Sequence, residues 1–121
     1  MAAPQQRLGR RAEAATARWL TDRGWRVLEQ RWRSPFGEID LVCLDPNGVL
    51  VGVEVKLRGT SRAGGPADAV DGRRVVRLRR ALVDYATRYR PPGAEQRIDL
   101  VALTPVGLAW RVERWPGIDA W

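Results

Sequence analysis

Asp40, Glu54 and Lys56 are the side chains of this sequence best spaced to do chemistry together. Two carboxylates and an ammonium can hold a hard divalent cation and steer a water or a phosphate towards it. Lys56 is the one lysine among 21 basic residues. Arginine, used at every other basic position, is a fixed fork suited to phosphates and ion pairs, whereas a compact ammonium with a shiftable pKa requires lysine. What the chain lacks excludes most alternatives. With no histidine it has no Ser-His-Asp or Cys-His triad, no histidine general base and no His-ligated zinc. Cys43 is the only cysteine, which removes Cys₄ metal sites and internal disulfides and points to a reducing compartment. There is no P-loop and no dinucleotide-type glycine loop after a strand.

The trio depends on the register of one β-hairpin. Asp45-Pro46-Asn47-Gly48 is a strong turn signal, and Gly48 can take positive φ. If Pro46-Asn47-Gly48 forms a three-residue loop, Asp45 pairs with Val49, Asp40 falls opposite Glu54, and Glu38 falls opposite Lys56. Opposed side chains share a face with Cβ atoms about 4.5–5.5 Å apart. The expected core face carries Ile39, Leu41, Cys43, Val51, Val53 and Val55. Like charges set directly opposite are destabilising, and a divalent cation reverses that penalty. Glu38 is then placed to pair with Lys56 or to extend the acidic site. A two-residue loop shifts the register by one and scatters the group. The bland alternative is an edge hairpin with a solvated charged face, which the Asp40–Glu54 opposition fits poorly.

The elements around the hairpin follow from periodicity. Residues 7–23 read as a helix on Leu8, Ala12, Ala15 and Trp19, with Gly24 placed to end it. Trp25 to Trp32 reads as a strand, Ser34-Pro35-Phe36-Gly37 as a turn, and Glu38–Leu44 and Val49–Leu57 as the hairpin strands. Arg58 to Gly65 reads as a basic loop. A second helix spans 71–90, with Asp71 as N-cap and an apolar stripe of Val75, Leu78, Leu82, Tyr85 and Tyr89. Arg97–Leu103 and Leu108–Trp115 close the fold. The expectation is one α/β domain over 1–121, a mixed β-sheet flanked by helices in the order α-β-β-β-α-β-β. No apolar run approaches the roughly 18 residues of a membrane span, and the amino terminus has no apolar signal core, so a cytoplasmic protein without membrane association is expected. Trp19, Trp110 and Trp115 read as core, as Trp32 and Phe36 do more readily than as base-stacking residues. Cys43 reads as a buried hydrophobe and Asp99 as structural.

Gly37-Glu38-Ile39-Asp40-Leu41-Val42 followed by Val53-Glu54-Val55-Lys56-Leu57-Arg58 resembles the YraN family of endonucleases, of the restriction-endonuclease-like, PD-(D/E)xK type. Gly9-Arg10-Arg11-Ala12-Glu13 with Arg18-Trp19-Leu20 matches that family's first-helix motif, and Arg97-Ile98-Asp99-Leu100-Val101 its closing strand. The resemblance covers roughly residues 7–115 and implies Asp40 and Glu54 as ligands of Mg²⁺ or Mn²⁺ and Lys56 as the catalytic lysine. It adds Glu13 as a further acidic member; read by position alone, Glu13 is more commonly a solvated helix carboxylate. Leu57 stands where the family often has a small hydroxyl residue, and Arg73 or Arg74 where a lysine often opens the second helix.

The net charge of +7 points to a polyanionic partner, nucleic acid first and DNA in particular. Arg58 and Arg62 adjoin the trio, and Arg73, Arg74, Arg77, Arg79 and Arg80 cluster on the second helix, all as candidate phosphate contacts. The expected activity is metal-dependent hydrolysis of DNA phosphodiesters, with branched or repair intermediates among the candidate substrates. A non-catalytic nucleic-acid-binding module that keeps the fold is the second reading, and a protein-interaction adaptor the third. A homodimer is compatible with all of them.

Overall fold

A computed structural model describes residues 3–59 and 71–120. Five strands, β1 (Arg26–Ser34), β2 (Gly37–Leu44), β3 (Leu50–Leu57), β4 (Gln96–Val106) and β5 (Ala109–Trp115), lie in the sheet in chain order. Helix α1 (Pro4–Thr21) precedes them, α2 (Gly72–Tyr89) joins β3 to β4, and a 3₁₀ turn (Ile118–Ala120) follows β5. Only β3 and β4 run parallel. A parallel pair needs a long crossover, and α2 lies in it. The sheet is therefore mixed, in the expected order.

Both sheet faces are covered. On one side Ala12 and Leu20 of α1 pack with Leu41, Cys43, Val51, Val53, Val101 and Leu103. On the other, Leu78, Ala81, Leu82 and Tyr85 of α2 pack with Ile39, Val42, Leu50, Ile98 and Leu100. Two-sided burial explains why β3 begins with an unbroken apolar run rather than an alternation. Gly52 lets α2 approach: a Cβ there would lie 3.0 Å from Ile98 Cδ1 and 3.6 Å from Leu82 Cδ1. The hairpin is thus interior to the sheet, between β1 and β4, and the edge-hairpin alternative does not hold.

The turn forms as expected. Gly48 has φ +82°, Asp45 N–H donates to Val49 O at 2.9 Å, and Gly48 N–H donates to Asp45 O at 2.9 Å. The Asp45 carboxylate also accepts the Asn47 and Val49 amides, at 2.8 and 2.9 Å. Backbone pairing follows the expected register from Leu44↔Leu50 to Leu41↔Val53.

Several expectations need correction. Ile39 packs on the α2 side while Leu41 and Cys43 pack on the α1 side, so the single core face expected for β2 breaks at Asp40. Tyr89 is exposed; it lies in the last turn of α2 and leans on Tyr85 instead of closing the stripe. Helix α1 starts earlier than expected, because Pro4 suits the first helical turn and Gln6 Oε1 accepts the Ala3 amide at 3.0 Å. Trp32 is half-buried and packs against the core, edge-on to Tyr85 with ring centres 5.3 Å apart, but Phe36 is exposed. No described helix is long and apolar enough to cross a membrane.

Asp99, fully buried, ties the far end of the sheet together. Its carboxylate accepts from Arg97 Nε at 2.7 Å, Arg97 Nη2 at 3.2 Å, Arg114 Nε at 3.2 Å and the Gly117 amide at 2.9 Å. Arg97 continues to Asp45 at 3.1 Å, linking the β2–β3 turn to β4 and the carboxy-terminal turn. Asp99→Ala leaves two guanidinium groups without their shared anion. Removing one partner of a buried ionic group costs about 3–5 kcal/mol. Urea unfolding of Asp99→Ala is therefore expected to give a markedly lower midpoint, and an unchanged midpoint would refute this role.

Candidate metal centre

Backbone pairing between β2 and β3 stops at Leu41↔Val53, but β3 continues along β4 from Glu54↔Leu100 to Leu57↔Leu103. The two central strands therefore part at Asp40. There the Asp40 carboxylate replaces the missing backbone partner, with Oδ2 accepting the Val55 amide at 2.8 Å. That bond fixes the carboxylate against β3, next to Glu54. The parted strands, α1 and the first turn of α2 enclose a cleft of about 390 Å³ lined by Gly9, Ala12, Glu13, Asp40, Glu54, Lys56 and Arg74, among others.

The cleft brings together Asp40, Glu54, Lys56 and Glu13, the four expected site residues. Their environments differ. The Glu54 side chain is 5% exposed; Arg74 Nε donates to its Oε2, while Oε1 is buried with no hydrogen-bond partner. Glu13 is partly buried, and its Oε1 accepts from Arg31 Nε at 2.8 Å. Lys56 is exposed at the cleft and has no ion-pair partner among the described residues.

The remaining expected residues are placed otherwise. Glu38 pairs with Arg33 across β1 and β2, at 3.2 Å, not with Lys56. With the strands parted, the cross-strand neighbour of Glu38 is on β1 rather than β3. Arg74 engages Glu54, whereas Arg73 is exposed at the same helix end with no ion-pair partner among the described residues. Arg58 approaches the Trp115 ring at 5.4 Å. Arg62 and most of the 58–65 loop lie outside the described residues. Cys43 is fully buried, and burial pushes its thiol up to about 12, which makes it inert at neutral pH.

Arg31 is the site residue that sequence reasoning missed. It is the only non-glycine residue with positive φ among those described, at +53°, a backbone region costly for a bulky side chain. Its guanidinium reaches Glu13 and feels the negative charge of Glu38 and Asp40. Nothing in an arginine-rich strand marks this one as different.

Burial pushes the Asp40 carboxyl up to about 8, helped by the neighbouring Glu54 carboxylate, which favours a proton on Asp40 and repels its charged form, against the lowering effect of the Val55 amide. Two carboxylates in one buried site cannot both be charged at little cost. The pair needs either a shared proton or a cation. Oxygen-only donors, one of them buried and unpartnered, fit a hard divalent ion, and Mg²⁺ typically takes one or two protein carboxylates and retains waters. Among the described residues no group of three or more acidic or thiol side chains converges as a ready-made cage. The Asp40–Glu54 pair is therefore the candidate centre, and the Glu13 carboxylate is engaged by Arg31.

The model of the uncharacterised protein family UPF0102 matches residues 12–103. A UPF0102 protein of Anaeromyxobacter dehalogenans is 44% identical over 117 residues, covering 93% of this chain and 83% of that protein. One from Moorella thermoacetica is 37% identical, covering 98% and 95% respectively. One from Beutenbergia cavernae is 40% identical, covering 92% and 94%. The chain belongs to the UPF0102 family.

Asp40→Asn tests the conflict between the carboxylates. An amide keeps the acceptor for Val55 and gives Glu54 Oε1 a donor, so the chelator-treated variant is expected to melt about 4 °C or more above wild type at pH 8. The pH dependence has a definite sign. With Asp40 raised, the folded state keeps a proton that the unfolded chain releases above about pH 4. Wild-type stability without metal therefore falls as pH rises from about 4 to about 8, and the variant lacks that decline. Equal melting curves for the two proteins across this range would contradict it.

Proposed function

We propose that this member of the UPF0102 family is a Mg²⁺- or Mn²⁺-dependent phosphodiesterase of restriction-endonuclease-like type acting on DNA. The observation that carries the reading is Glu54 Oε1, a buried carboxylate oxygen without a partner, beside an Asp40 that cannot comfortably share its charge. The exposed ammonium of Lys56 at the same cleft supports it, as does the net charge of +7.

In this reading Asp40 and Glu54 hold the cation. A bound divalent ion supplies Lewis acidity, lowering the pKa of water and offsetting charge on the phosphate. The Lys56 ammonium stabilises charge developing on the scissile phosphate, or helps to orient the water. Glu13 contributes negative charge from α1 while Arg31 fixes its carboxylate. Arg73 and Arg58, at the adjoining ends of α2 and β3, contact the DNA backbone.

One observation favours the second reading, a non-catalytic DNA-binding module with this fold. Arg74 already neutralises Glu54. In the enzyme, Arg74 must yield Glu54 to the cation and turn towards phosphate.

Cleavage of single-stranded, duplex, flap and four-way DNA with Mg²⁺ or Mn²⁺ separates these readings. The enzyme reading predicts cleavage of at least one substrate, loss with Asp40→Ala, and a drop of about 10²-fold or more with Lys56→Ala. No cleavage by clean wild-type protein, or equal cleavage by Asp40→Ala, would refute it. DNA binding that ignores metal and Glu54→Ala yet falls steeply with salt would then support the module.

A further inference from the structure

Helix α2 carries a second, outward stripe that the fold does not use. Its inner face buries Leu78, Ala81, Leu82, Tyr85 and Ala86. On the opposite side, Val76, Arg80, Val83 and Thr87 recur at i, i+4, i+7 and i+11, which places them in one row. Val76 is 50% exposed and Val83 47% exposed. Exposed β-branched residues weaken a helix slightly and gain no packing in return.

Phe36, 44% exposed at the β1–β2 turn, stands beside this row. With Arg79, Arg80, Val83, Asp84 and Thr87 it lines a predominantly apolar concavity of about 520 Å³. The turn presenting the ring is pinned, because Ser34 Oγ accepts the Phe36 amide at 3.0 Å and donates to Gly37 O at 3.2 Å. Scattered exposed apolar residues are ordinary. A concave group of them around a fixed aromatic is the mark of an interaction site.

The charge around it selects the occupant. Arg79 is satisfied by Asp119; of the one acid in the wall, Asp84, Oδ1 is paired with Arg88 at 3.2 Å and Oδ2 is buried without a partner. Arg80, also in the wall, has no ion-pair partner among the described residues. The concavity therefore has an apolar floor and a net positive rim. A nucleic-acid backbone would meet the arginines but leave the valines against phosphate and sugar. An apolar side chain flanked by carboxylates satisfies both.

We infer that this α2 surface, with Phe36, is a docking site for a protein partner, through an acidic segment that inserts one bulky apolar side chain between Phe36 and Val83. The site is separate from the Asp40–Glu54 cleft and does not rest on its activity.

The test is fluorescence anisotropy of full-length protein with a labelled peptide panel: Trp, Leu or Phe centred among Asp and Glu residues, the same peptides with Ser at the centre, and the same with Lys for the acids. At least one acidic, apolar-centred peptide is expected to bind, more weakly as salt rises, while both control sets bind at least about tenfold more weakly. Val83→Asp and Arg80→Glu are each expected to weaken binding about tenfold or more, with Phe36→Ser in the same direction. Leu108→Ser, exposed elsewhere, is expected to change nothing, and unchanged melting temperatures establish that the variants fold. No binding by any acidic peptide at about 1 mM, or binding indifferent to Val83→Asp and Arg80→Glu, would overturn the inference. So would a labelled oligothymidylate that binds here, and loses binding with Phe36→Ser and Val83→Asp, while the peptides do not bind.

Discussion

Two carboxylates, Asp40 and Glu54, face one another where the central strands of the sheet part. That unfavourable apposition is the constraint around which the rest of the site is arranged. Asp40 is anchored by the Val55 amide and so cannot swing away. Glu54 is buried, with one oxygen taken by Arg74 and the other unpartnered. A chain selected only for stability would place an amide or a hydrophobe at one of these positions. Retaining both is the kind of local cost that functional sites carry and the surrounding structure supports.

The support comes from elements on both faces. Helix α1 brings Glu13, and Arg31, at a backbone conformation unusual for its size, holds that carboxylate in place. Helix α2 delivers Arg74 from its first turn, with Asp71 capping the helix by accepting the Arg74 amide at 2.8 Å. The absence of a side chain at Gly52 lets α2 lie close to β3. Further along, Asp99 binds β4, β5 and the final turn, and through Arg97 the β2–β3 turn whose register places Asp40 against Glu54.

Much of this was legible in the sequence. The Asp45–Gly48 turn set the register because loop length and the left-handed glycine leave little choice. The order of elements followed from periodicity, with Asp71 as the N-cap of α2. The parting of the strands at Asp40 was not legible, because it arises from a side chain standing in for a backbone acceptor. Nor was the pairing of Glu38 with Arg33, which follows from that parting, or the ties from Arg31 to Glu13 and from Arg74 to Glu54. The last two join residues distant in sequence, and in a chain so rich in arginine no pattern identifies which one reaches which acid. Phe36 escaped for a related reason, since an aromatic beside a turn reads the same whether it faces the core or solvent.

The most direct measurement is a crystal soaked in Mn²⁺ and examined by anomalous scattering. The expected result is a peak bridging Asp40 and Glu54, with the Arg74 guanidinium moved off Glu54. No peak between these carboxylates at saturating Mn²⁺, with Arg74 still seated on Glu54, would contradict the metal centre.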